Sequence, residues 1–410
     1  MNAAPAVTEP SPISAGESTV LERAAWILLC LFIFTIPWEK GVWVPGVGTI
    51  ARTLGIFAFV GGVAVLLRRR AGRMPNVILL LAGVFVAWCA TTYLWSVDQA
   101  ATVARSITLA QLLAMMWLIW ELCRSKERQR QLMGAYVLGA VAGCAITFVR
   151  YIQDIQTYYR RYASAGFDPN DFGMILALSI PFSLYLAIRA GRWTRWCWYA
   201  AAMMAISTVL LTASRTSLIA TFIALSFAVW TWKKVGVLQR TASVCMMGYL
   251  VLSLVQFAPG PSRDRLATIP AEVSKGSFNS RKQIWKSGAR VWIQHPVFGI
   301  GAGAYPEAVR PELGTPEIKG FQYVAHNTFL SVLVECGLVG FALWSTLLGL
   351  LLFMIWVMPG PERALWAVML AAWTAGVTTL TWEHYKTTWL LFSLITTAWA
   401  GSWWNDGGDE

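Results

Sequence analysis

The chain has 410 residues, of which 57% are hydrophobic and only 13% are charged, and its formal net charge is +12. A soluble protein has about 25% charged residues, so this chain lacks the charges to cover several soluble domains, and it is too apolar to be disordered or fibrous. The composition therefore predicts a protein whose outer surface faces lipid, and it raises the question of where the excess Lys and Arg lie.

The hydropathy pattern predicts about twelve membrane-spanning helices, since a span needs about 20 mostly apolar residues. The predicted spans are residues 24–37, 50–67, 77–95, 103–122, 132–149, 171–189, 196–213, 215–231, 238–257, 330–357, 364–380 and 388–404. We therefore predict an all-α polytopic membrane helix bundle with about 12 transmembrane helices. Spans 1–9 fall within residues 21–257, and spans 10–12 fall within residues 326–404.

The basic residues predict the orientation of the bundle. The loops after spans 2, 4, 6 and 8 each carry a cluster of Lys and Arg. Because short positively charged loops stay in the cytoplasm, we expect these loops and both termini to be cytoplasmic. The expected tails are residues 1–20, whose Ala, Pro and Ser content is typical of disorder, and residues 405–410. Residues 258–325 then form one long periplasmic loop, which we expect to be partly helical.

Several arginines are predicted to gather on the periplasmic side. Arg161 follows span 5 in the segment RYASAGFDPNDFG, and Arg215 lies in the tight turn ASRTS between spans 7 and 8. In the long loop, residues 280–294 read as a helix on which Arg281 shares an edge with Trp285. Arginine binds phosphate with a two-pronged set of donors, so this pattern favours a phosphate-bearing substrate.

Some of these basic residues have a plainer interpretation. Lys282, Lys286 and Arg290 are four residues apart on the predicted helix and form one stripe, which would suit anionic lipid headgroups. Arg215 could likewise be an anchor whose charge extends from the membrane boundary to water.

His326 begins the segment HNTFLSVLVECG at the start of span 10. Histidine titrates near neutral pH and can act as a general base, although a lone histidine is more often a structural hydrogen-bonding residue. Asp168 and Asp171 are predicted to cap the helix of span 6. We found no motif or spacing that predicts a metal site, so we expect neither a metal nor a cofactor.

Four segments, taken in order, resemble the O-antigen ligase family, which belongs to a superfamily with O-antigen polymerases and bacterial O-oligosaccharyltransferases. They are RYASAGFDPNDFG, ASRTS, SRKQIW and HNTFLSVLVECG. The resemblance implies a GT-C-like glycosyltransferase of the bacterial inner membrane with its active site at the periplasmic face. The implied donor is O-antigen on undecaprenyl diphosphate, and the implied acceptor is lipid A core. The implied partners are these substrates and membrane lipids, with no nucleic acid.

The resemblance also implies roles for particular residues. His326 would be the base that activates the acceptor hydroxyl, and Arg215 would act with it at the diphosphate. Arg281 and Arg161 would bind the same substrate, and Arg265 and Arg290 are further substrate-binding candidates.

Four alternatives remain open at the level of the sequence. An O-antigen polymerase or a protein O-oligosaccharyltransferase would use the same donor with a different acceptor, and acceptor choice is not encoded in a recognisable motif. A transporter of an anionic lipid-linked molecule would be expected to show internal repeats and charges near the membrane midplane. A scaffold of a polysaccharide assembly complex would not need His326 beside collected arginines.

Overall fold

The computed structural model describes residues 12–70, 72–157, 161–231, 236–252, 279–314 and 323–401. Fourteen α-helices lie within these ranges. They are α1 (Pro12–Thr35), α2 (Ile50–Arg69), α3 (Val77–Thr91), α4 (Gln99–Leu122), α5 (Lys126–Ile152), α6 (Pro169–Arg189), α7 (Thr194–Thr212), α8 (Arg215–Trp230), α9 (Val237–Leu252), α10 (Asn279–Gln294), α11 (Tyr305–Leu313), α12 (Thr328–Val357), α13 (Gly360–Val377) and α14 (Lys386–Gly401). A small antiparallel hairpin, β1 (Trp43–Val44) and β2 (Gly48–Thr49), connects α1 to α2.

The predicted all-α helix bundle is confirmed. A helix lies at each predicted span, and seven of them, α1–α6 and α12, are long and apolar enough to cross a membrane. This supports a multi-pass membrane protein. Helices α10 and α11 lie within the predicted long loop, which is therefore partly helical as expected. Residues 12–20 of the predicted N-terminal tail belong to α1, whereas residues 1–11 and 405–410 of the predicted tails lie outside the described residues.

Helix α6 is the central helix of the bundle. Over the most apolar 18 residues of α6, 89% of the residues are buried inside the protein. The helix packs against α5, α7, α8 and α13. A Cβ atom added at Gly173 would lie 2.5 Å from Ser217 Oγ of α8, so the small residue allows the two helices to approach closely. The start of α6 is thereby fixed beside the start of α8.

Helix α12 is broken inside the bundle at Gly337, where the backbone takes φ 65° and ψ −170°. The loop that precedes α11 satisfies the groups freed by this break. Leu338 N donates to Pro296 O at 2.9 Å, and Gly301 N donates to Glu335 O at 2.9 Å. Unpaired backbone groups are costly in a membrane protein, so the break and the loop depend on each other.

The break in α12 generates a stability prediction. A Cβ atom at Gly337 would lie 2.2 Å from Val297 O, and the positive φ disfavours any side chain. We expect Gly337→Ala to lower the free energy of unfolding by about 2–4 kcal/mol. The matched control is Gly349→Ala on the same helix, where a Cβ atom would meet nothing within 4 Å. Thermal unfolding of the purified variants tests this, and equal stability of the two variants would contradict it.

Candidate functional site

The starts of α6, α8 and α12 meet at one end of the bundle, which we call the site end. Thr328 Oγ1, in the first turn of α12, donates to Leu380 O and accepts from Trp382 N, both at 2.8 Å. Trp382 Nε1 in turn donates to Asp171 Oδ1 at 2.8 Å, in the first turn of α6. The segment 378–385 between α13 and α14 thus ties the start of α12 to the start of α6.

The two aspartates at the start of α6 have different roles. Asp168 is the N-cap residue, and its Oδ1 accepts from Asn170 N at 2.7 Å, so the predicted cap is confirmed there. Asp171 is turned towards segment 378–385 instead, where its carboxylate accepts from both Trp382 and the Tyr385 hydroxyl. The two aromatic rings stack, with centroids 4.9 Å apart. Asp171 therefore anchors the segment.

Arg161 is a buried residue, 5% exposed, that bridges two helix ends. Its Nε donates to Thr212 O at the end of α7 at 2.7 Å, and one terminal nitrogen donates to Asn170 Oδ1 at 2.8 Å. Arginine offers five donors in a fixed plane, and at least two of them hold the protein together here. Arg161 thereby fixes the turn between α7 and α8 against the start of α6.

Arg215 is the first residue of α8, directly after that turn. Ser214 is the N-cap residue of α8 and accepts from Ser217 N at 3.3 Å. The next residue, Thr216, shares a hydrogen bond of 2.7 Å with Thr379 Oγ1. The half-buried Arg215 therefore lies at the site end, between the N-cap Ser214 and Thr216, which contacts segment 378–385.

His326 lies immediately before the N-cap of α12, in an uncommon backbone conformation. Its φ is +47°, in the left-handed region that side chains other than glycine seldom adopt. Asn327 caps the helix by accepting from Leu330 N at 3.0 Å. A strained residue held by a capped helix is a common feature of functional sites, and here it fixes the half-buried imidazole at the site end.

The environment of His326 keeps its imidazole neutral. Burial, the largest cause, and the positive charge of Arg281 lower the pKa of His326 to about 4, while the negative charge of Asp168 opposes them. An ordinary histidine has a pKa of about 6.5, so His326 carries a free lone pair at neutral pH. Arg281 and Asp168 are therefore both close enough to His326 for their charges to change its pKa.

Helix α10 is attached beside His326 through its predicted Trp285 edge. Trp285 Nε1 donates to Ala325 O at 2.8 Å, the residue before His326. Arg281 precedes Trp285 by four residues and so lies one turn away on the same face. The sequence pattern predicts that Arg281 faces a site along this edge, and its electrostatic effect on His326 agrees with that prediction.

The other two arginine candidates lie elsewhere. Arg290 is about two and a half turns further along α10, is 65% exposed and forms an ion pair of 3.1 Å with Glu312 of α11. Arg265 lies outside the described residues. The structure thus gathers Arg161, Arg215 and Arg281 at the site end and directs Arg290 towards α11.

A buried charge cluster behind the site was missed by the sequence analysis. Arg105 of α4 forms ion pairs with Glu335 of α12 and with Glu383 of segment 378–385. Glu383 Oε1 also lies 3.0 Å from His384 Nδ1. A charged residue within an apolar span costs free energy and is usually functional or paired with another charge. Arg105 and Glu335 both lie within predicted spans, and their positions could have indicated this cluster.

A metal-binding cluster is not evident in the described part of the chain, where no group of three or more His, Cys, Asp or Glu residues could hold an ion. The expectation that the site uses neither metal nor cofactor stays a prediction.

The contacts of Arg161 predict a structural contribution. Lysine cannot reproduce the hydrogen bonds to Thr212 and Asn170 together, so Arg161→Lys should lower the free energy of unfolding by about 1–3 kcal/mol. Arg290→Lys, on an exposed side chain, should change it by no more than about 0.5 kcal/mol. Denaturation monitored by tryptophan fluorescence provides the measurement. If Arg161→Lys were as stable as Arg290→Lys, Arg161 would have no supporting role.

Comparison with known proteins agrees with the resemblance found in the sequence. Residues 200–345 match a protein-family model described as O-antigen ligase. The matched segment runs from α7 into α12 and includes Arg215, Arg281 and His326. No match was found among curated proteins. The predicted resemblance is thus confirmed over residues 200–345, less than half of the chain. The match supports an O-antigen ligase family assignment, and that family implies glycosyltransferase activity of the ligase or polymerase kind.

Proposed function

We propose that this protein is an O-antigen ligase that transfers O-antigen polysaccharide from undecaprenyl diphosphate to a sugar hydroxyl of lipid A core. The observation that carries this proposal is the neutral His326 beside Arg281, with Arg161 and Arg215 at the same end of the bundle. A base and a group of cations are the two elements that a transfer from a diphosphate donor requires.

In the proposed reaction, the acceptor hydroxyl oxygen attacks the anomeric carbon of the donor from the side opposite the diphosphate. The bond from that carbon to oxygen forms as the bond to the diphosphate oxygen breaks, so the configuration inverts. His326 accepts the hydroxyl proton as the new bond forms. Its low pKa in the free enzyme keeps the imidazole neutral and ready to accept that proton.

The arginines stabilise the leaving diphosphate. Arg215 and Arg281 are proposed to bind its oxygens, since arginine pairs with phosphate through two parallel hydrogen bonds. Arg161 adds its charge from the segment before α6, and its bonds to Thr212 and Asn170 hold the turn that presents Arg215. Stabilising charge as it develops on a leaving group is usually the largest single contribution to catalysis.

Donor binding should strengthen the base. The charge of Arg281 is one of the causes that lower the pKa of His326. A diphosphate bound to Arg281 brings negative charge close to the imidazole, which favours its protonated form. The histidine thus becomes a better proton acceptor when the donor is in place.

The proposed location is the bacterial inner membrane, with the site end facing the periplasm. Helix α2 runs from the site end to Arg68 and Arg69, and the basic loops after α2, α4 and α6 lie at the opposite end of their helices. Basic loops favour the cytoplasm, which supports a periplasmic site.

Reconstituted activity tests the proposed function. With lipid-linked O-antigen and core–lipid A in proteoliposomes, the native protein should form full lipopolysaccharide, also in the presence of a chelator. We expect His326→Ala and Arg215→Ala each to lower the rate by about 10²–10³-fold. Arg310→Ala is the matched control, because Arg310 is an exposed residue of α11 paired with Glu307.

Three results would contradict parts of this proposal. Full activity of both site variants would show that His326 is not the base and that Arg215 does not stabilise the diphosphate. Loss of activity on chelation would show that the reaction requires a metal. Elongation of the lipid-linked chain without transfer to core would make the protein a polymerase.

The pH dependence of the reaction is a separate prediction. In the pH profile of kcat/KM, which reports the free enzyme, the loss of activity at low pH should have its midpoint below pH 6.5, near the pKa of about 4 of His326. We call this loss the acid limb. For kcat, which reports the enzyme–substrate complex, the limb should lie at higher pH because the bound diphosphate raises that pKa. Arg281→Gln removes a charge that lowers the pKa, so its kcat/KM limb should move to higher pH. If the acid limb of Arg281→Gln stayed at the native pH, His326 beside Arg281 would not be the group that titrates.

A further inference from the structure

A cavity of about 620 Å³ lies between α1, α2 and α4, and residues His384–Lys386 line one end of it. Its volume is within the range of about 300–1,000 Å³ that is typical of ligand pockets. Ile56, Phe59 and Ile107 line it and are 39–49% exposed on the bundle surface. Because this surface faces lipid in a membrane, the cavity opens sideways into the bilayer.

The cavity is polar at one end and apolar along the rest. Thr49 and Arg52 lie at the polar end, at the start of α2, whereas Gly55 and Phe59 continue the wall along the helix. From Thr49 to Phe59 the helix rises about 15 Å, at about 1.5 Å per residue. That is half of a hydrocarbon core of about 30 Å, so the cavity is one leaflet deep.

The polar end carries an excess of positive charge. Lys386 Nζ contacts both oxygens of Glu39, at 2.9 and 2.8 Å, so these two charges offset each other. Arg52 also lines this end of the cavity, with its guanidinium beside the side-chain amide of Gln111. Lys40 lies over the ring of Phe167 with its Nζ 4.9 Å from the centroid. Asp171 also interacts electrostatically with Lys40. With Glu39 and Asp171 both counted against Lys40, Arg52 and Lys386, one positive charge remains in excess above the apolar groove, and it complements an anionic lipid headgroup.

The polar end of the cavity adjoins the site. Tyr385 lines the cavity, and its hydroxyl donates to Asp171 in the first turn of α6. Asp168, the N-cap of the same helix, acts electrostatically on His326. Lys40 interacts electrostatically with Asp171, in the same first turn of α6. A sugar attached to a headgroup bound at Lys40 can therefore extend over the site end.

We propose that this cavity binds the acceptor, a phosphorylated and acylated glycolipid, with an acyl chain between α1, α2 and α4 and a phosphate at Lys40 and Arg52. The proposal deepens the ligase function and rests on it. The depth of one leaflet suits an acyl chain of lipid A. An undecaprenyl chain is several times longer, so the donor is expected to use another surface.

Acceptor binding without donor tests the proposal separately from turnover. Native mass spectrometry of the detergent-purified protein would measure the bound fraction of core–lipid A that lacks O-antigen. Ala114→Trp fills the apolar part of the cavity and should weaken binding at least about tenfold, because it displaces several methylene groups. Arg52→Gln removes one positive charge that would bind the headgroup and should weaken binding about tenfold, near the lower limit for a hydrogen bond to a charged group. Ala87→Trp is the matched control, on an exposed face of α3 outside the cavity.

The outcomes separate this proposal from the ligase function. Native-like binding by both cavity variants, or equal displacement of core–lipid A by phosphatidylglycerol, would overturn the proposal. In the transfer assay, a cavity variant with the native KM for acceptor would overturn it while the ligase function stands. Cavity-dependent binding of core–lipid A by a native protein that transfers no glycan would contradict the ligase function instead. Arg52→Gln keeps the apolar packing, so it gives a result even if Ala114→Trp fails to fold.

Discussion

The ion pairs of Arg105 with two buried carboxylates are the interaction on which the site end depends. Arg105 of α4 contacts Glu335 inside α12 and Glu383 in segment 378–385. Glu335 Oε2 also accepts from Gly303 N at 2.7 Å, which attaches the loop before α11. Removing one partner of such a buried pair typically costs about 3–5 kcal/mol, because a charge is left uncompensated. One arginine thereby joins a spanning helix, the break in α12 and the segment that carries Trp382.

This arrangement explains how groups far apart in the chain become a rigid site. Segment 378–385, fixed by Glu383 at Arg105, also holds Thr328 and Asp171. The starts of α12 and α6 therefore cannot move independently, and the strained backbone of His326 is kept in place. A site that is organised before the substrate arrives need not reorganise during the reaction, which is the basis of electrostatic catalysis. The stability of the buried ion pairs and the proposed chemistry are thus connected.

Much of the fold could be predicted from the sequence because the signal was local. Each apolar run is long enough to identify a helix by itself, and the pattern of Arg281 and Trp285 follows from helix geometry alone. The cap at Asp168 likewise depends only on its neighbours. The contact between Arg105 and Glu383 joins residues 278 positions apart, and no local pattern encodes such a distance. Asp171 was expected to cap a helix for the same reason, since its partners Trp382 and Tyr385 lie more than 200 positions away.

The proposed mechanism requires the arginines and His326 to meet at the leaving diphosphate. A cryo-electron microscopy structure of the inactive His326→Ala protein with the lipid-linked donor bound would show whether they do. We expect diphosphate density within hydrogen-bonding distance of Arg215 and Arg281, with the anomeric carbon facing the vacated position of residue 326. A diphosphate bound away from both arginines, or a sugar that faces away from residue 326, would contradict it.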